Sequence, residues 1–181
     1  KSADMVICEN PKHSLKLLNN LGIKKKLISL HDYNEDNVIK KIGKDLKNKK
    51  VALISDSGSP LISDPGFKLI QFCIKNNIFI STIPGASSII PALQLSGLPS
   101  QEFCFYGFVP KNSKQMLEFC KKIMIAEQTS VCFVSSHRIT KFIEILENLM
   151  GNRQISISKE LTKLNELVFR GSVTSVMNDF L

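Results

Sequence analysis

Along the first half of the chain, short apolar runs alternate with amphipathic stretches. Met5–Cys8 is apolar and leads through Glu9–Pro11 into a helical pattern at Leu15, Leu18 and Leu21, which stops at Gly22, a residue suited to a helix C-terminus. Leu27–Leu30 predicts a second strand, ending in the polar cluster His31, Asp32, Tyr33, Asn34 and Glu35. From Asn34 the spacing predicts a helix with Val38, Ile39, Ile42 and Leu46 on one face and Lys40, Lys41, Lys44 and Lys47 largely on another. Lys49 and Lys50 close it, where cations suit the helix dipole. Val51–Ser55 predicts a third strand, followed by a loop bearing Gly58, Pro60, Pro65 and Gly66 and a helix to about Asn77. Asp64 is placed to cap that helix, with Pro65 at its first position. Ile78–Ile83 predicts a fourth strand, and Pro84–Ser88 a second glycine loop before a helix carrying Ile89, Ile90, Leu93 and Leu95. Four strands alternating with four helices imply an open, mostly parallel sheet, with ligand groups at the carboxyl ends of its strands.

After Gly97–Pro99 the pattern changes. Phe103–Phe108 is aromatic and extended, and Val109–Lys114 reads as a linker, so a domain boundary is expected there, giving domains 1–108 and 109–181. A helix over 113–125, a strand over 130–134, a helix over 137–150 and a strand over 154–158 follow. Glu166–Arg170 is expected to hairpin against Ile155–Ser158, with Ser172 capping a last short helix. This second domain is mixed α+β.

The 181 residues, 43% of them hydrophobic, suffice for one sizeable domain or two small ones. A net charge of +8 favours an acidic partner such as nucleic acid. The absence of Trp argues against an interface built chiefly on base stacking. Cys8, Cys73, Cys104, Cys120 and Cys132 are scattered, mostly in apolar runs, as expected of reduced, buried thiols in a cytoplasmic protein. No apolar run is long enough to span a bilayer, and no membrane partner is expected.

The glycine loops match neither the P-loop nor the dinucleotide-binding spacing, which argues against ordinary nucleotide chemistry. Small residues in both loops suit close approach of a neutral or zwitterionic ligand, although a polar connecting loop would read the same way. Ser55, Ser57, Ser59, Ser87 and Ser88 lack a His and Asp at a hydrolase spacing, and no convergent metal-ligand set can be assembled. His13 lies on a helix face with no evident role. His31 stands at a strand end among acids, open either to proton chemistry or to a helix start capped by Asn34. Arg138, beside His137, follows another strand end and is placed to hold a phosphate.

In order, SDSGSPLISDPG, PGASS, GLPSQEFCFYGFVPK, SSHR and KELTKLNE resemble the tetrapyrrole methylase superfamily, and within it the bacterial small-subunit ribosomal RNA ribose 2′-O-methyltransferase I family. HDYNE after the second strand is similar to that branch's H-D-H-N-E. The resemblance implies a two-domain α/β fold, with a mostly parallel N-terminal sheet and a mixed C-terminal domain, holding S-adenosylmethionine between the domains. It implies methyl transfer to a cytidine ribose 2′-hydroxyl in the decoding region of 16S RNA, usually by a homodimer. By position, Ser57, Gly58, Ser59 and Ile62 form the cofactor loop, Ser87 and Ser88 a second contact segment, Val134 a wall of the adenosine pocket and Gly171 a glycine near it. His31, Asp32 and Glu9 are the candidates for orienting or deprotonating the hydroxyl, with Lys12 and Arg138 for positioning phosphate.

The family begins with a strand and a T-P-I-G-N-L loop ahead of the position where this sequence starts, and it continues with a further strand after Gly171, so the expected site is incomplete here. Its E-D-T-R stands as Glu9, Asn10, Pro11 and Lys12, and Lys does not reproduce the bidentate phosphate grip of Arg. Two alternatives accompany this expectation: a methylase of a tetrapyrrole-like small molecule, which the basic charge disfavours, and a non-catalytic binding protein for S-adenosylmethionine or RNA.

Overall fold

The computed structural model describes residues 2–180, which fall into two compact units divided between Ala86 and Ser87. In the first, β1 (Met5–Cys8) lies at the centre of a parallel sheet, with β2 (Lys26–Ser29) on one side and β3 (Val51–Ile54) on the other. Ile7 pairs with Ile28 and with Leu53. A central parallel strand has both faces covered, which is why β1 is apolar without alternation, and all four of its residues are buried.

Helix α1 (Pro11–Asn20) starts from Asn10, whose side chain accepts hydrogen bonds from the Lys12 and His13 amides at 3.1 and 3.3 Å. The helix ends on Gly22 at φ +65°, with the Ile23 amide returning to the Leu18 carbonyl and the Gly22 amide to that of Asn19, a Schellman closure. Its buried face is narrower than the leucine spacing predicts: Leu18 is buried with Ser14, while Leu15 and Leu21 are exposed.

Helix α2 (Glu35–Asn48) buries Val38, Ile42 and Leu46 in a cluster with Ile7, Leu30, Leu69 and Cys73, leaving its lysines outside. Helix α3 (Phe67–Lys75) adds Leu69 and Cys73 to that cluster. The fourth strand expected over 78–83 does not form. Within the described residues this stretch pairs with no strand, and Phe79 and Ile83 are 90% and 93% exposed. A strand is defined by its neighbour, and β3, the edge nearest in sequence, is paired only with β1.

The second unit opens with α4 (Ile89–Ser96), then β4 (Phe103–Phe108), α5 (Ser113–Met124), β5 (Thr129–Phe133) and α6 (Ile139–Met150). It closes with β6 (Gln154–Lys159), β7 (Leu167–Ser172) and α7 (Val173–Phe180). The β4 and β5 strands pair in parallel, with an irregularity between Phe105 and Phe108 where Gly107 takes φ +70°. The expected hairpin is present as the antiparallel β6–β7 pair, and the Ser172 hydroxyl accepts from the Ser175 amide at 3.1 Å. Val109, Met116, Cys120, Phe142, Ile143 and Val173 lie at the heart of this core. The division at Ala86 falls earlier than the boundary expected near Phe108, because β4 pairs with β5 and α4 packs on the β6–β7 hairpin.

Candidate functional site

All three strands of the first sheet run the same way, so their carboxyl ends share one edge of the unit. Glu9 directly follows β1, His31 and Asp32 follow β2, and Asp56 and Asp64 lie in the loop after β3. The ends are tied together locally. The Ser29 hydroxyl donates to the Glu9 carbonyl at 3.1 Å, and the Asn34 amide group donates to the Ser29 carbonyl at 3.2 Å. Asn34 also accepts from the His31 amide at 2.9 Å. Its side chain thus closes the β2–α2 turn and makes no bond to the helix it was expected to cap.

The sequence-predicted trio of Glu9, His31 and Asp32 is brought together with two further acids. Partial burial pushes the Glu9 carboxyl above its ordinary range, and the negative charges of Asp64, Asp56 and Asp32 push it further, against a smaller opposing effect of His31. Burial likewise raises Asp64, with the Ser55 hydroxyl working against the rise. Asp56 Oδ1 is buried and finds no hydrogen-bond partner among the described residues. Four carboxyl groups acting on one another at a strand-end edge favour a cation or a shared proton.

The loop between β3 and α3 holds Ser57, Gly58, Ser59 and Ile62 in an unusual backbone. Gly58 takes φ +72°, and Leu61 and Ser63 enter the left-handed region at φ +70° and +65°, a costly conformation for residues with a side chain. The Ser55 hydroxyl donates to the Gly58 carbonyl at 3.0 Å, which fixes the first turn. A Cβ on Gly58 would meet no atom within 4 Å, so the backbone here faces open space. Ser57, Gly58 and Ile62 are exposed.

The far end of this loop is held by a residue that the sequence did not point to. Glu35, 4% exposed, accepts from the Gly66 and Leu69 amides, each at 3.1 Å. A capping box normally satisfies these two positions from within the helix; here one carboxylate from α2 serves both. Asp64 is therefore not the cap: α3 begins at Phe67, with Gly66 as the capping residue at φ +129°. The missed signals were Glu35 in an otherwise ordinary first helical turn, and the acids at both ends of SDSGSPLISDPG. Lys12 stands exposed in the first turn of α1.

In the second unit, Ser87 and Ser88 lie at the start of α4, where the Ser87 hydroxyl accepts from the Ile89 amide at 3.3 Å. Val134 follows β5 and packs against the core, and Gly171 bends β7 at φ +144°. Arg138 is committed inside its own unit: Nε donates to the Ser135 hydroxyl at 2.6 Å and Nη1 to the Val109 carbonyl at 2.9 Å. These bonds join the carboxyl ends of β4 and β5, so the part of Arg138 free for a phosphate is smaller than its sequence position suggested. No group of His, Cys, Asp and Glu among the described residues is arranged to hold a metal ion, and no described helix is long and apolar enough to cross a membrane.

An open parallel sheet with acids and a strained glycine loop at its carboxyl edge, followed by a mixed unit, defines an α/β protein of the class whose ligands bind beyond the strand ends. The chain belongs to the tetrapyrrole (corrin/porphyrin) methylase family, whose sequence profile matches residues 1–176. Among its relatives, the "Ribosomal RNA small subunit methyltransferase I" of Halalkalibacterium halodurans is 36% identical over 179 residues, covering 98% of this chain and 62% of the relative. The protein of the same name from Thermotoga maritima is 36% identical over 183 residues, covering 99% of this chain and 81% of the relative. The chain thus spans less than two thirds of the first of these. Diphthine synthase superposes with a TM-score of 0.66 at 17% identity, over 97% of this chain and 74% of that one. Uroporphyrin-III C-methyl transferase from Thermus thermophilus, complexed with S-adenyl homocysteine, gives 0.58 at 12% identity, over 100% and 81%. Both show the fold.

Proposed function

We propose that the protein is an S-adenosylmethionine-dependent methyltransferase acting on the ribose 2′-hydroxyl of a cytidine in the decoding region of 16S RNA. The observation that carries this is the carboxyl cluster of Glu9, Asp32, Asp56 and Asp64 at the strand-end edge of a chain whose family profile spans residues 1–176. The relatives' shared name supports ribosomal RNA as the substrate class, and the net charge of +8 suits it.

The residues fit the cofactor. Its sulfonium and amino group are cationic, and acids raised first by burial and then by one another's charge gain from a cation among them. Asp56 Oδ1 offers a buried acceptor, and the open backbone at Gly58 admits a ligand closely. When bound, the cofactor supplies an activated methyl group. Ser57, Gly58, Ser59 and Ile62, in the loop of the first unit, would hold it. Glu9, with a carboxyl raised above the ordinary range, has the proton affinity to take the 2′-hydroxyl proton as that oxygen attacks. His31 and Asp32 orient the ribose, and Lys12 holds an adjacent phosphate. Arg138 acts chiefly by fixing the strand ends from which Val134 projects. A homodimer acting on the small ribosomal subunit in the cytoplasm completes the proposal.

The test is methylation of small-subunit particles by the full-length protein with labelled cofactor, followed by mass mapping of the RNA. Label on one cytidine ribose, lost in Glu9→Gln with the melting temperature retained, supports the proposal. Cofactor binding without RNA labelling by the wild type overturns it.

A further inference from the structure

The outer side of β2 and α2, away from the carboxyl cluster, carries a concentration of charge that the proposed chemistry does not use. Lys40, Lys41, Lys44 and Lys47 are exposed on α2, within an arc of about a third of its circumference at 100° per residue. Lys40 and Lys44 are four residues apart, and Lys41–Lys44 and Lys44–Lys47 three apart, so like charges stand next to one another on the surface. The two acids nearest this stripe are spent elsewhere: Asp36 pairs with Lys68 at 2.5 Å and Asp45 with Lys49 at 2.9 Å. Among the described residues none of these four lysines has an ion-pair partner, nor do Lys24, Lys25 and Lys26 leading into β2.

One lysine of each group, Lys26 and Lys41, lines a common groove. A groove of about 350 Å³ runs between β2 and α2, walled by Lys26 and Lys41, with Ser29, Asn34 and the already paired Asp45 along it. The β2 strand is an edge of the sheet, so its outward backbone groups have no strand partner among the described residues. Asn34 reaches into the turn that carries His31 and Asp32, which makes the groove continuous with the carboxyl-terminal edge of the sheet. A solvated helix face ordinarily interleaves acids with its lysines; here uncompensated repulsion is kept beside a groove whose walls mix Lys26 and Lys41 with Ile28, Val38 and Ile42, an arrangement that a polyanion relieves.

We infer that the β2–α2 face is a docking surface for the sugar–phosphate backbone of the substrate RNA, with Lys26 and Lys41 gripping phosphates along the groove and Lys40, Lys44 and Lys47 extending the track. The inference rests on the RNA substrate proposed above. The face sets affinity and register, while the carboxyl cluster selects the reacting hydroxyl.

The experiment compares the full-length wild type with Lys40→Gln/Lys41→Gln/Lys44→Gln, measuring affinity for a 16S RNA transcript across a salt series. S-adenosylmethionine calorimetry and thermal melting are run on both proteins. Removing adjacent like charges from exposed positions leaves the variant at least as stable to melting, with cofactor affinity unchanged. Each phosphate that the protein no longer neutralises makes the slope of log affinity against log salt shallower by about 0.7–0.9, so three such phosphates flatten it by about 2–3 and weaken binding on the order of 100-fold near 0.15 M salt. A Lys→Arg triple at the same positions keeps the wild-type slope. If the wild type binds the transcript and the Gln triple binds it equally with the same slope, the face is not the docking surface and the RNA function stands. If the wild type binds neither the transcript nor small-subunit particles, the RNA function fails, and this inference fails with it.

Discussion

Replacing Glu35 tests whether one buried carboxylate secures the loop between β3 and α3, which is proposed to hold the cofactor. Its two oxygens satisfy the Gly66 and Leu69 amides at the start of α3, where the helix dipole also favours negative charge. In Glu35→Ala both donors stay buried and unpaired, at about 1–3 kcal/mol each, and the loss of a buried charge interaction brings the total to about 3–5 kcal/mol. Glu35→Gln keeps one acceptor and turns an NH₂ group toward the other amide, so about half of that loss is expected. For a chain of this length 1 kcal/mol corresponds to about 2–4 °C, so Glu35→Ala should melt roughly 6–20 °C lower. Melting followed by circular dichroism, with urea titration of the same variants, gives the order wild type, Gln, Ala. Calorimetry with S-adenosylmethionine should show affinity falling in that order, because Gly66 ends the loop that bears Gly58. Asp64→Ala is the contrasting variant: if Asp64 were the cap, it would lose about 1 kcal/mol. Asp64→Ala destabilising the protein as much as Glu35→Ala, or Glu35→Ala melting within about 2 °C of wild type, would refute the assignment of the cap.

Three other outcomes follow from the same geometry. Glu9 and Asp64 hold protons more tightly when folded than at their usual values of 4.5 and 3.8, so the stability they contribute is present at low pH and lost as pH rises through their raised folded values. Glu9→Gln/Asp64→Asn should therefore be more stable than wild type at pH 7, with the difference shrinking as pH falls and gone only below both usual values, under 3.8, in urea titrations, while methylation is lost. Arg138→Ala should lower stability by about 2–3 kcal/mol through loss of bonds from a charged group to Ser135 and Val109, and leave the salt dependence of RNA binding close to wild type. Gly58→Ala meets no steric obstacle but is strained at φ +72°, costing about 1–2 kcal/mol, and should weaken cofactor binding in calorimetry by more than the fall in melting temperature alone would suggest.

The elements with a partner close in sequence were the legible ones. Met5–Cys8, the helix of Val38, Ile42 and Leu46, and the β6–β7 hairpin all follow from periodicity, since each buries the face its apolar residues define. Ile78–Ile83 has the composition of a strand, but pairing is a property of two segments, and no described segment lies beside it. Leu15 and Leu21 misled because a helical stripe shows which side is apolar, not how much of it another element covers. The strand-end positions of Glu9, His31 and Asp32 were readable because strand ends are marked by sequence. The role of Glu35 was not, since its partners lie 31 and 34 residues away and are backbone amides, which no residue type announces. Arg138 was legible in place but not in use, because one of its acceptors is the carbonyl of Val109, 29 residues back.

The unpaired stretch Ile78–Ile83, IFISTI, has a consequence for handling this polypeptide. It joins six residues of high β-propensity, no charge and no proline, with two side chains almost wholly in water, in the same unit as the open edge of β3. Among the described residues, a segment of this composition and exposure is open to pairing with a strand edge on a neighbouring molecule, which would show as concentration-dependent aggregation. A single lysine at Phe79 or Ile83 should act as a gatekeeper and suppress it.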